Sequence, residues 1–295
     1  MSVALSLARL TSSTRGRYTW RDWLRLPRQN LIGTLGVAIV VLLTLLAVFA
    51  EPLSPHDPNA QIGKRLTEPN AQYTLGLDQL GRDELSRLIF GARVSLGVGV
   101  LSVGIALLLG AGLGLLSGYY GGALDNLIMR GMDLMFTLPS FVLALALAGI
   151  LGPALRNVVI AIAFVTTPTI ARITRAPVLA LREAEFIASA RLVGAADTRI
   201  LLRHVLPNIA APLIVQTTVG IADAILIEAA LSFLGLGVQA PDTSWGNMLG
   251  TGRDFMELAN GLSVFPGAAI MLAVLGFNFA GDGLRDVLDP RLRRI

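Results

Sequence analysis

The 295-residue sequence has no cysteine, which excludes disulfides and thiolate metal sites and leaves the compartment unreadable from redox chemistry. It has two histidines, His56 and His204, far apart in the chain, which argues against a histidine metal site. Charge is scarce: 15% of residues are Asp, Glu, Lys or Arg, where a soluble domain carries about 25%. No G-x-x-x-x-G-K-[ST] occurs. The one Gly-Lys pair, Gly63-Lys64, is followed by Arg65, so this chain does not bind ATP through a P-loop. H-E-x-x-H and G-x-S-x-G are missing too, and no histidine-containing cluster supports hydrolytic or transfer chemistry. The net charge of +4 does not point to nucleic acid. The arginines sit at the edges of apolar runs, as orientation in a membrane requires.

What fills the sequence is apolar: 54% of residues are hydrophobic, arranged in long runs. The pattern predicts an all-α polytopic membrane protein with six transmembrane helices. The first runs over 31–50, twenty residues without a charge, too long for a signal-peptide core and so a retained anchor. The others are expected near 94–116, 134–151, 157–171, 209–234 and 262–280. The fourth is short: fifteen uncharged residues between Arg156 and Arg172 rise about 22 Å, with Pro168 predicted to kink them. The basic arm 1–30, with Trp20, Trp23 and Leu24 among its arginines, suggests a helix lying in the interface. Residues 51–92 are proline-rich and polar and predict an ordered external loop, helical from about Arg82. A turn is expected at 117–133, a loop at 235–261 and a charged tail over 282–295, around a five-helix core at 93–281. Gly110, Gly114 and Gly118 give one smooth helical face, for packing within the chain or against a partner. Seventeen of the 24 Lys and Arg residues fall on the side that holds both termini, so the positive-inside rule makes that side cytoplasmic.

One long polar stretch interrupts this pattern. Residues 182–207 carry Arg182, Arg191, Arg199 and Arg203 with Glu183, Glu185 and Asp197. They read as two short helices. The first spans about 183–193, with Phe186, Ala190 and Val193 on one face. Gly194 turns the chain, Asp197 caps the second helix, and Ile200, Leu201 and Val205 form its apolar face. Pro207 ends it. Such a hairpin between two spans predicts a docking surface for a soluble partner, or an amphipathic loop on the membrane face. Elsewhere, two carboxylates fall inside the fifth span. Asp223 and Glu228 lie about 140° apart around a helix, and each must face protein or water. They line a polar route, or they are buried with an arginine or backbone donor. Asn278 in the sixth span poses the same question.

These residues resemble the permease subunit of a binding-protein-dependent ABC importer, of the dipeptide, oligopeptide and nickel class with an extra N-terminal span and external loop. The motif E-A-A-x3-G-x9-I-x-L-P of such permeases falls on Ala188-Ser189-Ala190, Gly194 and His204-Val205-Leu206-Pro207. Ala188 stands for its Glu, Ser189 for its first Ala and His204 for its Ile. Class-like stretches recur at 74–83 (TLGLDQLGRD), 117–122 (SGYYGG), 220–237 (GIADAILIEAALSFLGLG), 244–248 (SWGNM) and 278–292 (NFAGDGLRDVLDPRL). The resemblance implies a type I importer permease fold in the bacterial inner membrane. It implies a coupling hairpin at 182–207, with Glu185, Ala188, Ser189, Ala190, Gly194, Ala195, Asp197, His204 and Pro207 facing a cytoplasmic ATP-binding subunit. Two such subunits, a second homologous permease and an extracytoplasmic solute-binding protein are the implied partners. ATP and Mg belong to the partner, so this chain is a non-catalytic subunit without a cofactor. Asp223, Glu228 and Asn278 are candidates for the pathway, and short peptides are the expected substrate, with nickel or another small solute as the alternative. A self-sufficient ion-coupled transporter using Asp223 and Glu228 is the rival of a different class.

Overall fold

Apolar runs become helices in lipid because backbone N–H and C=O groups there must be satisfied within the segment. The computed structural model describes residues 30–288, whose regular elements are helical. The interfacial helix expected in the arm, and the tail beyond 288, lie outside the described residues.

Helix α1 (Leu31–Val48) starts at Asn30, whose Oδ1 accepts from the Gly33 N–H at 2.8 Å; the short α2 (Ala50–Leu53) follows it. The loop after it is ordered by backbone hydrogen bonds such as Leu66 N–H to Asp78 O and Leu77 N–H to Thr67 O. It delivers the chain into α3 (Glu84–Tyr120), capped by Asp83, whose Oδ2 accepts from the Ser86 N–H at 2.9 Å. Its 37 residues extend about 55 Å, well beyond a hydrocarbon core. The expected helical entry from Arg82 and the span 94–116 are thus one helix. That helix also takes in the start of the turn expected at 117–133. The turn itself is only Gly121 and Gly122, with φ of +69° and +59°. The rest of that segment is α4 (Gly122–Met135).

The third expected span, 134–151, is broken. α4 ends at Met135, and α5 (Ser140–Leu151) leaves at 83° to it after Pro139. Proline lacks the N–H that would continue the ladder and holds the residue before it away from helical geometry. The fourth expected span is too short: α6 (Leu155–Leu181) has 27 residues and runs through Pro168 and Pro177. Arg172, which looked like its boundary, lies inside it, as does Arg175, and both pair with α4. Arg172 meets Asp133 at 2.5 Å, and Arg175 grips both oxygens of Asp125 at 2.6 and 2.5 Å.

Next come α7 (Glu185–Leu192) and α8 (Asp197–Ile200). A π-helical turn over Leu201–Val205 leads straight into α9 (Leu206–Phe233), so the helix does not end at Pro207 as expected. The wide turn sends the Leu206 N–H to Leu201 O, five residues back, and brings the chain past a proline that has no N–H to donate. The loop after α9 contains α10 (Trp245–Arg253), and α11 (Gly261–Leu288) runs eight residues beyond the expected sixth span. Among the described residues, five helices are long and apolar enough to cross a membrane, and the bent pair α4–α5 makes six if counted as one crossing.

Glycine sets the close approaches. A Cβ on Gly110 would lie 2.7 Å from Thr167 O, on Gly114 2.4 Å from Ala171 O, and on Gly118 2.8 Å from Val178. All three face α6, so the smooth stripe packs within this chain. Gly33 and Gly36 do the same for α1 against Gly283 and Ala280 of α11. Helix α3 reaches every buried cluster. Ala92 and Leu96 join α1, α9, α10 and α11. Val98 and Val103 join α5, α6 and α9. Leu115 and Tyr119 join α6 and the polar hairpin.

Candidate functional site

The hairpin is built on one bend. Gly194 has φ +77°, its N–H bonds Arg191 O at 2.9 Å, and the Ala195 N–H reaches back to Ala190 O at 3.0 Å. This pair of bonds is the Schellman arrangement, which needs a residue able to adopt a left-handed backbone. Two isoleucines, Ile187 and Ile200, are fully buried and fix the arms to the cluster formed by α3 and α6. The face is therefore not the one expected: Phe186 and Val193 point outward, and Ile187 is the buried anchor of α7. Ile200, Leu201 and Val205 are buried as expected.

The tip is apolar and bare. Leu192 is 89% exposed and Val193 84%, next to the bend. Glu185, Ala188, Ser189, Gly194, Asp197 and Pro207 are exposed as well; Ala190, Ala195 and His204 are half-buried. Asp197 does not cap α8. It is the first helical residue, and its carboxylate accepts from the Tyr119 hydroxyl at 2.6 Å and the Tyr120 hydroxyl at 3.3 Å. Arg191 lies over the Tyr119 ring, 5.1 Å from its centroid, and its Nε donates to the Tyr119 oxygen at 3.4 Å. That hydrogen bond holds the Arg191 guanidinium above its ordinary value. Sequence reasoning missed Tyr119 and Leu192, and it placed Val193 on the apolar face rather than at the exposed tip.

The intramembrane polar residues go different ways. Glu228 is fully buried, and no arginine pairs with it among the described residues. Its oxygens accept from Ser232 at 2.7 Å and Ser95 at 3.2 Å. Those serines in turn accept backbone N–H groups of the following loop. Ser232 Oγ takes Val238 N–H at 3.2 Å, and Ser95 Oγ takes Trp245 N–H at 3.1 Å. The Trp245 indole N–H closes onto Leu88 O at 2.9 Å. Glu228 is thus the hub that holds the 235–245 loop onto α3 and α9. Ser232, four residues on and so on the same helix face, was the one readable signal. Asp223 is exposed, and no hydrogen bond or ion pair reaches it among the described residues. Asn278 is half-buried and donates to Val274 O of its own helix at 3.0 Å.

Below the long loop sits a second buried polar group. Asp78 pairs with Arg82 at 2.7 Å and Arg87 at 3.4 Å, with Glu84 and Asp83 beside them. Among the described residues, no group of three or more His, Asp or Glu side chains has the arrangement to hold a metal ion.

Residues 110–294 match the family described as binding-protein-dependent transport system inner membrane component. Residues 19–70 match the N-terminal transmembrane domain of oligopeptide transport permease C. The chain is 46% identical over 276 residues to the dipeptide transport system permease protein of Alkalihalophilus pseudofirmus, covering 93% of this chain and 90% of the relative. It is 43% identical over 280 residues to the glutathione transport system permease protein of Pectobacterium atrosepticum, covering 94% and 93%. The fold is similar to a chain of the MetNI methionine ABC transporter, with a TM-score of 0.55 at 17% identity, over 70% of this chain and 97% of that one.

Proposed function

Because the chain belongs to the family of binding-protein-dependent transport system inner membrane components, in its dipeptide and oligopeptide permease class, we propose that it carries short peptides and docks its ATPase through residues 182–207. It is a multi-pass inner-membrane permease of an ATP-driven importer. It is not the catalytic subunit and carries no cofactor; ATPase and binding-protein partners supply energy and substrate. A self-sufficient ion-coupled transporter is displaced by that membership.

The observation that carries the docking reading is the bare tip. Leu192 and Val193 are exposed beside a fixed bend, while Ile187 and Ile200 anchor the arms. An apolar tip held rigidly away from the bundle fits a preformed cleft in a soluble subunit. The Lys and Arg balance supports a cytoplasmic hairpin with both termini on its side. The loops at 51–92 and 235–261 then face the binding protein, and a second homologous permease completes the pathway. Asp223 is the best-supported pathway residue of the three candidates, since a free carboxylate within a span faces water or protein rather than lipid. It stands ten residues before the end of α9, about 15 Å in. Relatives named for dipeptide and glutathione transport support a peptide-sized solute.

The test is Val193→Asp in the tagged permease. The variant is expected to insert normally and lose the co-purifying ATPase. Retained ATPase with wild-type uptake of labelled dialanine or glutathione would refute the docking reading. If neither solute is imported by the wild-type complex, the peptide assignment fails independently.

A further inference from the structure

Two ends of one helix are held by unlike polar clusters. At one end of α3, Tyr119 is 6% exposed and bonds Asp197 of the hairpin. At the other, Ser95 and Leu88 hold Trp245, the first residue of the loop helix α10. Between them, α3 is unbroken and packed against α6 through three glycines.

We propose that Tyr119 is the joint through which displacement of the hairpin moves α3, making Tyr119 and Arg191 positioning residues for coupling ATP hydrolysis to transport. The inference rests on the reading of 182–207 as the ATPase dock. Its physical basis is direction. The buried isoleucines tie the hairpin to the bundle through apolar contacts, which resist separation but tolerate sliding. The Tyr119 hydroxyl aimed at the Asp197 carboxylate is short, charge-assisted and directional. Arg191 covers the same ring from the other arm of the hairpin, so both arms meet on one side chain. A shift of the hairpin along α3 is thereby passed to a rigid rod, and the rod ends at Trp245 under the opposite loop.

The experiment uses the complete importer in proteoliposomes, with uptake of whichever of labelled dialanine and glutathione the wild-type complex imports. Solute imported per ATP hydrolysed is compared for wild type, Tyr119→Phe, Asp197→Asn and the double variant. Tyr119→Phe keeps the ring and its packing and removes only the hydroxyl. The expected result is a fall on the order of tenfold in that ratio for each single variant, with the double no worse than either. A merely structural role would lower hydrolysis and uptake together and leave the ratio alone. An unchanged ratio in Tyr119→Phe, or losses that multiply in the double variant, overturns the proposal. Val193→Asp separates the two layers. If it releases the ATPase while Tyr119→Phe couples normally, only the joint is wrong. If it keeps the ATPase and couples normally, the dock and the joint fall together.

Discussion

Replacing Glu228 distinguishes a carboxylate that works on solute from one that holds the fold. Glu228→Leu removes the acceptor of two buried hydroxyls, Ser95 and Ser232. Each orphaned hydroxyl costs about 1–3 kcal/mol. Relief from burying a carboxylate offsets part of this, for a net loss of roughly 2–4 kcal/mol. The damage is local, because the same serines carry the Val238 and Trp245 N–H groups. Glu228→Gln keeps the shape and one strong acceptor and is expected to lose less than about 1.5 kcal/mol. Trp245 is an internal reporter, being 1% exposed, and the only other tryptophans are Trp20 and Trp23. In a Trp20→Phe, Trp23→Phe background, Glu228→Leu should shift Trp245 emission to the red and lower the thermal midpoint in detergent. Glu228→Gln should change both little and should transport. If Glu228→Gln abolishes uptake with the Trp245 spectrum and midpoint intact, the charge itself acts on the solute and the structural account is wrong.

Gly194→Leu should insert normally but import little per ATP. The left-handed backbone costs a non-glycine residue about 1–2 kcal/mol, and a Cβ there meets nothing within 4 Å among the described residues, so the further loss is expected at the partner cleft; wild-type uptake refutes this. Gly114→Leu should lower membrane abundance on a blot, because its Cβ alone would lie 2.4 Å from Ala171 O; normal abundance and midpoint would mean α3 and α6 are not held by this stripe. Asp223→Asn should cut uptake while leaving the thermal midpoint in place, since no hydrogen bond or ion pair among the described residues depends on the carboxylate; unaffected uptake removes it from the pathway. Arg175→Met leaves Asp125 with the Ser117 hydroxyl as its one side-chain hydrogen-bond partner among the described residues and should lower the midpoint. A double-mutant cycle with Asp125→Asn should give a coupling of about 1 kcal/mol, allowing for an arginine one-third exposed, and a zero coupling denies the α4–α6 tie.

Hydropathy located the spans and mistook their ends, for one reason. Arg172 was read as marking the water boundary, yet it and Arg175 beyond it each have a carboxylate waiting on α4. A charge answered by a partner does not end a helix, and a one-dimensional reading cannot see the partner. The same blindness hid the α4–α5 break, where Pro139 was a legible stop inside an apolar run. Gly194 was legible because a tight bend between two helical patterns has few solutions, and φ +77° is one of them. Which face of α7 turned inward was not. Phe186 and Val193 are as apolar as Ile187, and only the position of the α3–α6 cluster decides among them. Tyr119 lay outside the hairpin by more than sixty residues, so nothing local announced it.

The seam between α1 and α11 bears on how the protein is made. Gly33, Gly36, Gly276 and Gly283 bring the first and last spans close, and the Asn30 amide reaches Asp286 at 2.6 Å. The ribosome finishes α1 nearly its whole output before α11 exists. At roughly 5–20 residues per second, the first helix waits some 10–50 s in the bilayer with its mate unsynthesised. Assembly of this seam therefore waits for α11, and until then the glycine face of α1 lies in the bilayer without its mate.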